Sequence, residues 1–208
     1  MAQQGSTWGD PTAAGLFATA AGTTATWAIL TGRIALTDVS IFIAWLFGAA
    51  LLLTMVGLIA LKRGDTTTGV VNLCFGILFF GTPALSFVFL LWGGSPLAAI
   101  GLVGLPTNIV NGIVYFVLGI VLATFVPILG RTSGVVSVGL LVFVIGIFFL
   151  AVNTLHGPLP MGIWATMGVI AGWLIGIGGW VMLYVGIALT LLYGFGRLIL
   201  PVGRPICK

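Results

Sequence analysis

The stretch Ile41-Phe42-Ile43-Ala44-Trp45-Leu46-Phe47 decides the architecture of this chain. All seven residues are apolar, so the stretch cannot present one apolar and one polar face. A membrane barrel strand needs about ten residues with that alternation. The stretch lies instead within a charge-free run, 39–61, of 23 residues. About 20 consecutive apolar residues carry a helix once across a bilayer. The reading is a membrane-spanning helix.

The other charge-free runs, 11–32, 66–130 and 132–196, are 22, 65 and 65 residues long. The first holds one helix, and each long run holds two helices and a turn. Turn-forming residues stand where those hairpins need them: Gly93-Gly94-Ser95-Pro96 with Gly104-Leu105-Pro106, and His156-Gly157-Pro158-Leu159-Pro160. The expectation is an all-α membrane protein with one membrane domain over 1–208. Its six transmembrane helices cover roughly 11–31, 40–62, 69–92, 108–128, 135–154 and 162–194.

Composition agrees. Only ten of 208 residues carry a formal charge and 60% are apolar, whereas a soluble domain has about a quarter of its residues charged. A water-soluble enzyme, a disordered chain and a nucleic-acid binder are excluded. The net charge of +4 reflects few acids rather than a basic cluster. Placed on six crossings, Lys62, Arg63, Arg131, Arg197, Arg204 and Lys208 fall on one side and Arg33 alone on the other. The positive-inside rule makes that side, with both tails (1–10 and 196–208), cytoplasmic. Residues 1–10 lack the basic and apolar regions of a signal peptide, so the first crossing is expected to direct insertion. Cys74 and Cys207 fall in a helix and a tail, where they read as free thiols.

Catalytic chemistry has no candidate. No Asp, Glu, Lys or Arg is expected within the membrane, and the single histidine, His156, falls in a loop. No acid–base pair, activated nucleophile, metal cluster or phosphate loop is present, so no enzyme, cofactor or metal site is expected. The same lack of ionisable groups argues against a proton relay through a buried carboxylate. Permeation of a small solute is left, and the uncharged polar residues are its candidate lining: Thr19, Thr23, Thr24, Thr26, Asn72, Asn108, Asn111, Ser137, Asn153 and Tyr184. Hydroxyl and amide groups can replace part of the water shell of a small carboxylate or amide. The plainer reading is that each bonds a neighbouring helix or its own helix one turn back.

Glycine numbers 32, about twice the usual share. Gly168, Gly172 and Gly176 recur every fourth residue on one face of the last helix, where small residues let helix backbones approach closely. Packing within one chain and packing between copies both fit. Trp8, Trp27, Trp45, Trp92 and Trp164 fall near helix ends as interfacial anchors do, while Trp173 and Trp180 are expected to pack deeper.

Phe195-Gly196-Arg197-Leu198-Ile199-Leu200-Pro201-Val202-Gly203 resembles the FGRxxLPxG ending of the acetate uptake transporter family, the SatP/YaaH type of acetate–succinate permease. Ala171-Gly172-Trp173 stands at the family's distance upstream, and Tyr184 and Asn153 match a family tyrosine and asparagine. Lys62-Arg63-Gly64-Asp65-Thr66 is similar to the family's K-K-G-N-T turn. Asp10-Pro11-Thr12-Ala13-Ala14-Gly15-Leu16 is similar to its N-P-A-P-L-G-L signature at Pro11, Gly15 and Leu16, with Asp10 in place of asparagine.

The resemblance implies a hexamer in the cell membrane, with one pore per protomer for acetate and related monocarboxylates or succinate. It implies a constriction at Thr19, Phe75 and Val142, of which Phe75 replaces a tyrosine and Thr19 a phenylalanine. Thr23, Asn72, Asn153 and Tyr184 are expected along the pathway, and Asp10, Pro11, Gly15 and Leu16 at its entrance. Asp10 is expected to cap the first helix rather than touch solute. Leu53, Ala60 and Leu189 stand where the family has glutamine, glutamate and glutamate. A channel for a small neutral solute (urea, an amide or ammonia) and a non-transporting scaffold subunit are the alternative readings.

Overall fold

The computed structural model describes residues 9–34, 38–93, 109–156 and 162–206, with backbone alone at 89–93 and 164. Its helices are α1 (Thr12–Leu30), α2 (Val39–Lys62), a composite α3, α4 (Ile109–Gly130), α5 (Gly134–Leu155) and α6 (Ile163–Phe195). The composite α3 is α-helical over Thr66–Leu73, π-helical over Cys74–Gly81 and α-helical again over Thr82–Gly93. Six helices among the described residues are long and apolar enough to cross a membrane. Large side chains such as Ile41, Trp45, Leu51, Met55 and Leu58 face outward from α2. In water that surface would drive aggregation; against lipid it matches its solvent. The protein is a multi-pass integral membrane protein.

Asp38 and Arg63–Asp65 bound α2, and polar side chains cap α3 and α5. Asp65 Oδ1 accepts from the Thr68 N–H at 3.0 Å, and Ser133 Oγ from the Val136 N–H at 3.3 Å. The Asp65 cap starts α3 three residues before the expected 69, because Thr66, Thr67 and Thr68 form its first turn. Such a cap is worth about 1 kcal/mol. Asp65→Ala is therefore expected to lower stability by about that amount, while Asp65→Asn, which still caps, changes it little. Thermal unfolding in detergent reads the difference.

The π-helical segment has a local cause. Pro83 has no N–H to donate to the preceding turn, and its ring crowds that turn's carbonyls. Widening the ladder just before Thr82-Pro83 relieves the clash, and Thr82 Oγ1 donates back to Ile77 O at 2.9 Å.

Chain order is also the order around the bundle. Each helix packs on the next, and α6 closes the ring by packing on α1. Glycines set the closest approaches of this last seam. Added Cβ atoms at Gly172, Gly176 and Gly179 would meet Leu30, Trp27 and Thr23 of α1 at 2.9, 3.0 and 1.8 Å. Gly168 faces Asn153 of α5 instead. The stripe is thus occupied by helices of its own chain. Ser137 Oγ donates to Val126 O at 2.7 Å and ties α5 to α4 beside Pro127.

The tryptophans depart from expectation. Trp27 packs inside a cluster with Trp173 and Trp180, centroids 5.4 and 5.3 Å away, and its indole nitrogen is buried. Trp173 and Trp180 are the outer members, 39% and 36% exposed. An α6 glycine explains the exchange: without a side chain at Gly176, Trp27 packs into the seam and the α6 indoles stand against its ring. Trp8, Asn108, Cys207 and Lys208 lie outside the described residues, as do the two turns 94–106 and 157–160 and the side chains of Trp92 and Trp164.

Candidate permeation pathway

A cavity of about 440 Å³ opens within the ring of helices. At the end of the bundle carrying Lys62, Arg63, Arg131 and Arg204 it is bordered by Asp65, Thr67, Thr132, Ser133 and Val202. Toward the middle its walls are Leu16 and Thr19 of α1, Thr68, Val71, Asn72 and Phe75 of α3, Leu140 of α5, and Met182, Val185 and Leu189 of α6.

Phe75 forms the floor. Its ring centroid lies 4.8 Å from that of Phe143, 5.9 Å from Phe79 and 6.3 Å from Phe80. Phe79 in turn meets Phe143 at 5.1 Å and Tyr115 at 6.2 Å. Burial of these rings is nearly complete. The π-helical geometry of Cys74–Gly81 sets Phe75, Phe79 and Phe80 in mutual contact, which makes one aromatic layer across the middle of the bundle. The α5 side chain that meets Phe75 is Phe143 rather than Val142. Val142 is half-buried and lies off the cavity wall, one position round the helix from the inward face.

The remaining expected residues separate into four groups. Thr19 and Asn72 line the cavity. Thr19 Oγ1 donates to Gly15 O at 2.9 Å, and Asn72 Nδ2 to Thr68 O at 2.7 Å, which leaves the second amide hydrogen of Asn72 for solute or water. Thr23 lies in the α1–α6 seam, where its hydroxyl donates to Thr19 O at 2.8 Å and its side chain fills the space at Gly179. Asn153 packs against Gly168 toward the other end of the bundle, off the cavity wall. The Tyr184 hydroxyl donates to Pro201 O at 2.9 Å, so it secures the C-terminal segment rather than the pathway.

That segment forms a strap. After the left-handed Gly196, residues 197–206 run without helix back across the α4–α5 turn. Ser133 Oγ donates to Val202 O, Gly134 N–H to Arg204 O at 3.1 Å, and Ile206 N–H to Gly130 O at 2.9 Å. Gly203 turns with φ +78°, a conformation other residues rarely adopt, in contact with Val135. The strap thereby places Val202 on the cavity rim.

Asp10 and Pro11 lie in an adjoining recess, which shares Asp65 and Thr67 with the cavity. Pro11 occupies the N-cap position, and Asp10, one residue earlier, accepts from the Thr12 N–H at 3.0 Å and the Thr12 hydroxyl at 2.6 Å. Its other oxygen accepts from the Tyr193 hydroxyl at 2.5 Å. Arg63 approaches within 3.4 Å and also donates to Gly9 O at 2.9 Å. All these bonds clasp α1, the α2–α3 turn and α6.

Partial burial pushes the Asp10 carboxyl up, but the bonds from Thr12 and Tyr193 and the charge of Arg63 outweigh it and hold the group below its ordinary 3.8. A lowered folded-state value stabilises above the unfolded value and is lost as pH falls through the folded one. The clasp is thus expected to be fully formed at neutral pH and to weaken only below pH 3.8. Asp10→Asn keeps an acceptor for Thr12 and removes the ion pair. It is expected to cost under about 1 kcal/mol and to flatten the acid limb of a stability–pH profile.

Thr67 and Thr68 are cavity residues for which the sequence carried a signal: three threonines directly after a capping aspartate mark a helix N-terminus. Leu189 and Ala60 show what replaces the acids implied by the resemblance. Leu189 gives the cavity wall a carbon surface, and Ala60 and Leu53 are buried in α2. Asp65, occupied as a helix cap, is the one carboxylate among the described residues of the cavity wall.

No family model matches the sequence. No curated protein matches it either. Among solved structures, the bacterial acetate channel SatP matches over 94% of this chain and 99% of its own, with a TM-score of 0.76 and 21% identity. This chain has the fold of the acetate uptake transporters.

Proposed function

We propose that this protein is a channel or permease for acetate and related short carboxylates. The observation that carries the reading is the cavity enclosed by the helix ring, which leads from the basic end of the bundle to the Phe75 layer. Similarity of fold to an acetate channel supports it. The basic end is read as cytoplasmic, and each chain of a hexamer would hold its own pathway.

The chemistry of the vestibule suits a small anion. The Thr66 and Thr67 N–H groups at the start of α3 lack intrahelical acceptors, while that of Thr68 is held by Asp65. The Thr67 and Thr68 hydroxyls and the spare Asn72 hydrogen lie beside them on the wall. These donors replace part of a carboxylate's water shell while Leu16, Val71 and Leu189 accept its methyl group.

The carbon surface of the Phe75 layer is also the observation that favours a second reading, a channel for a neutral solute such as urea, an amide or ammonia. Proteoliposomes distinguish the two. Acetate-driven change of internal pH or labelled acetate uptake above protein-free vesicles is expected, with urea-driven swelling at the background rate. Urea permeability without acetate permeability would sink the carboxylate reading.

A further inference from the structure

Beyond transport, the end of the bundle that carries Arg33 holds a second group of residues with a chemistry of its own. The Arg33 guanidinium carbon stands 4.8 Å from the Trp27 ring centroid and 5.5 Å from that of Trp173. Stacking uses the faces of the guanidinium and leaves its edge donors free. Among the described residues those donors have no hydrogen-bond or ion-pair partner. Arg33 is also the only Lys or Arg of the sequence near this end of the helices.

Directly beside it runs an apolar groove of about 600 Å³ between α1 and α2. Its floor is made small by Ala20, Ala21, Ala25 and Ala28, and Trp45 forms its outer wall. From Phe17 to Ala28 it follows α1 for about 16 Å, at 1.5 Å per residue. Two features join the groove to the arginine. Ile34, the next residue after Arg33, lines the groove, and the Trp180 indole of the arginine's own aromatic cluster donates to Thr24, another groove residue, at 3.2 Å. Asp38 stands at the same end of the groove and is the one acid there.

We propose that this groove and Arg33 together bind a membrane phospholipid, with one acyl chain along α1 and the phosphodiester on the guanidinium edge. A stacked guanidinium presents parallel N–H donors that match two phosphate oxygens. Arg33 lies three residues beyond the end of α1, a membrane-spanning helix, so its guanidinium stands where a bilayer supplies phosphates. Asp38 disfavours a headgroup of net negative charge and favours one that pairs its phosphodiester with an ammonium, as phosphatidylethanolamine does. A second copy of the chain would fill the groove but bring no phosphate to Arg33.

Native mass spectrometry of the purified protein with added dioleoyl phosphatidylethanolamine, dioleoyl phosphatidylglycerol and dioleoylglycerol tests this. Phosphatidylethanolamine is expected to be retained most and dioleoylglycerol least. Arg33→Gln is expected to lower retention of both phospholipids about tenfold, the loss of a charge-assisted hydrogen bond, and to leave dioleoylglycerol unchanged. Asp38→Asn is expected to narrow the preference for phosphatidylethanolamine, and Ala21→Trp, which fills the groove, to lower all three. Equal retention of dioleoylglycerol and phospholipid, or Arg33→Gln with unchanged phospholipid retention, overturns the proposal. An Ala21→Trp variant that loses subunits while keeping its lipids assigns the groove to a second copy instead.

Discussion

Gly179→Leu is expected to be the most damaging single substitution in this protein. A Cβ at position 179 would stand 1.8 Å from the Thr23 hydroxyl and 2.7 Å from Thr23 Cβ. Thr23 is fully buried, short and β-branched, and its hydroxyl already donates to Thr19 and Ala20 carbonyls. It cannot swing aside, so α1 and α6 must separate. Overpacking of a close-packed interior costs about 1–3 kcal/mol, and here the displaced helix also carries the Asp10 clasp and the Thr19 side of the cavity. A loss of about 3 kcal/mol or more is expected, seen as low yield and a reduced thermal midpoint in detergent. Gly194→Leu, where a Cβ meets nothing within 4 Å, is the matched control and is expected to behave as wild type.

Phe75→Ala is expected to change transport most. The Phe75 ring closes the cavity against Phe143 and Phe79, so its removal deepens the vestibule and thins the layer that closes it. If the layer is the principal barrier, acetate flux rises on the order of tenfold, equivalent to about 1.4 kcal/mol of barrier. Truncating a buried phenylalanine also costs several kcal/mol of stability; Phe75→Leu is the milder variant, and flux per folded protein is the quantity to compare. Val142→Ala is expected to leave flux within about twofold of wild type, because Val142 lies off the wall. A reversed order of effects would return the constriction to Val142.

The spans were legible for a simple reason. Lipid excludes charge, so ten charges among 208 residues mark helix ends almost as clearly as a structure does. The charge-free run beginning at 66 marks the start of α3 correctly; discounting its three threonines as loop moves the expected start to 69, whereas Asp65 makes them a first turn. The π-helical segment leaves only one trace, Pro83, and a proline says that a ladder is disturbed without saying how.

Side-chain placement was less accessible. Val142 and Phe143 differ by one residue, or 100° of helix, a distinction that distant resemblance does not make and that packing does. Thr23 and Tyr184 are polar for reasons of architecture, one filling a glycine seam and the other holding the strap. The strap itself is a tertiary feature. Pro201 and Gly203 announce a bend, but nothing local specifies that it returns to Ser133 and presents Val202 to the cavity.

The most direct test of the carboxylate pathway is electrical. Purified protein is placed in a planar bilayer under an acetate gradient with an impermeant counter-cation. The account predicts a current that reverses near the acetate equilibrium potential and grows in Phe75→Ala. Absence of current from correctly folded protein, with Phe75→Ala equally silent, would contradict it.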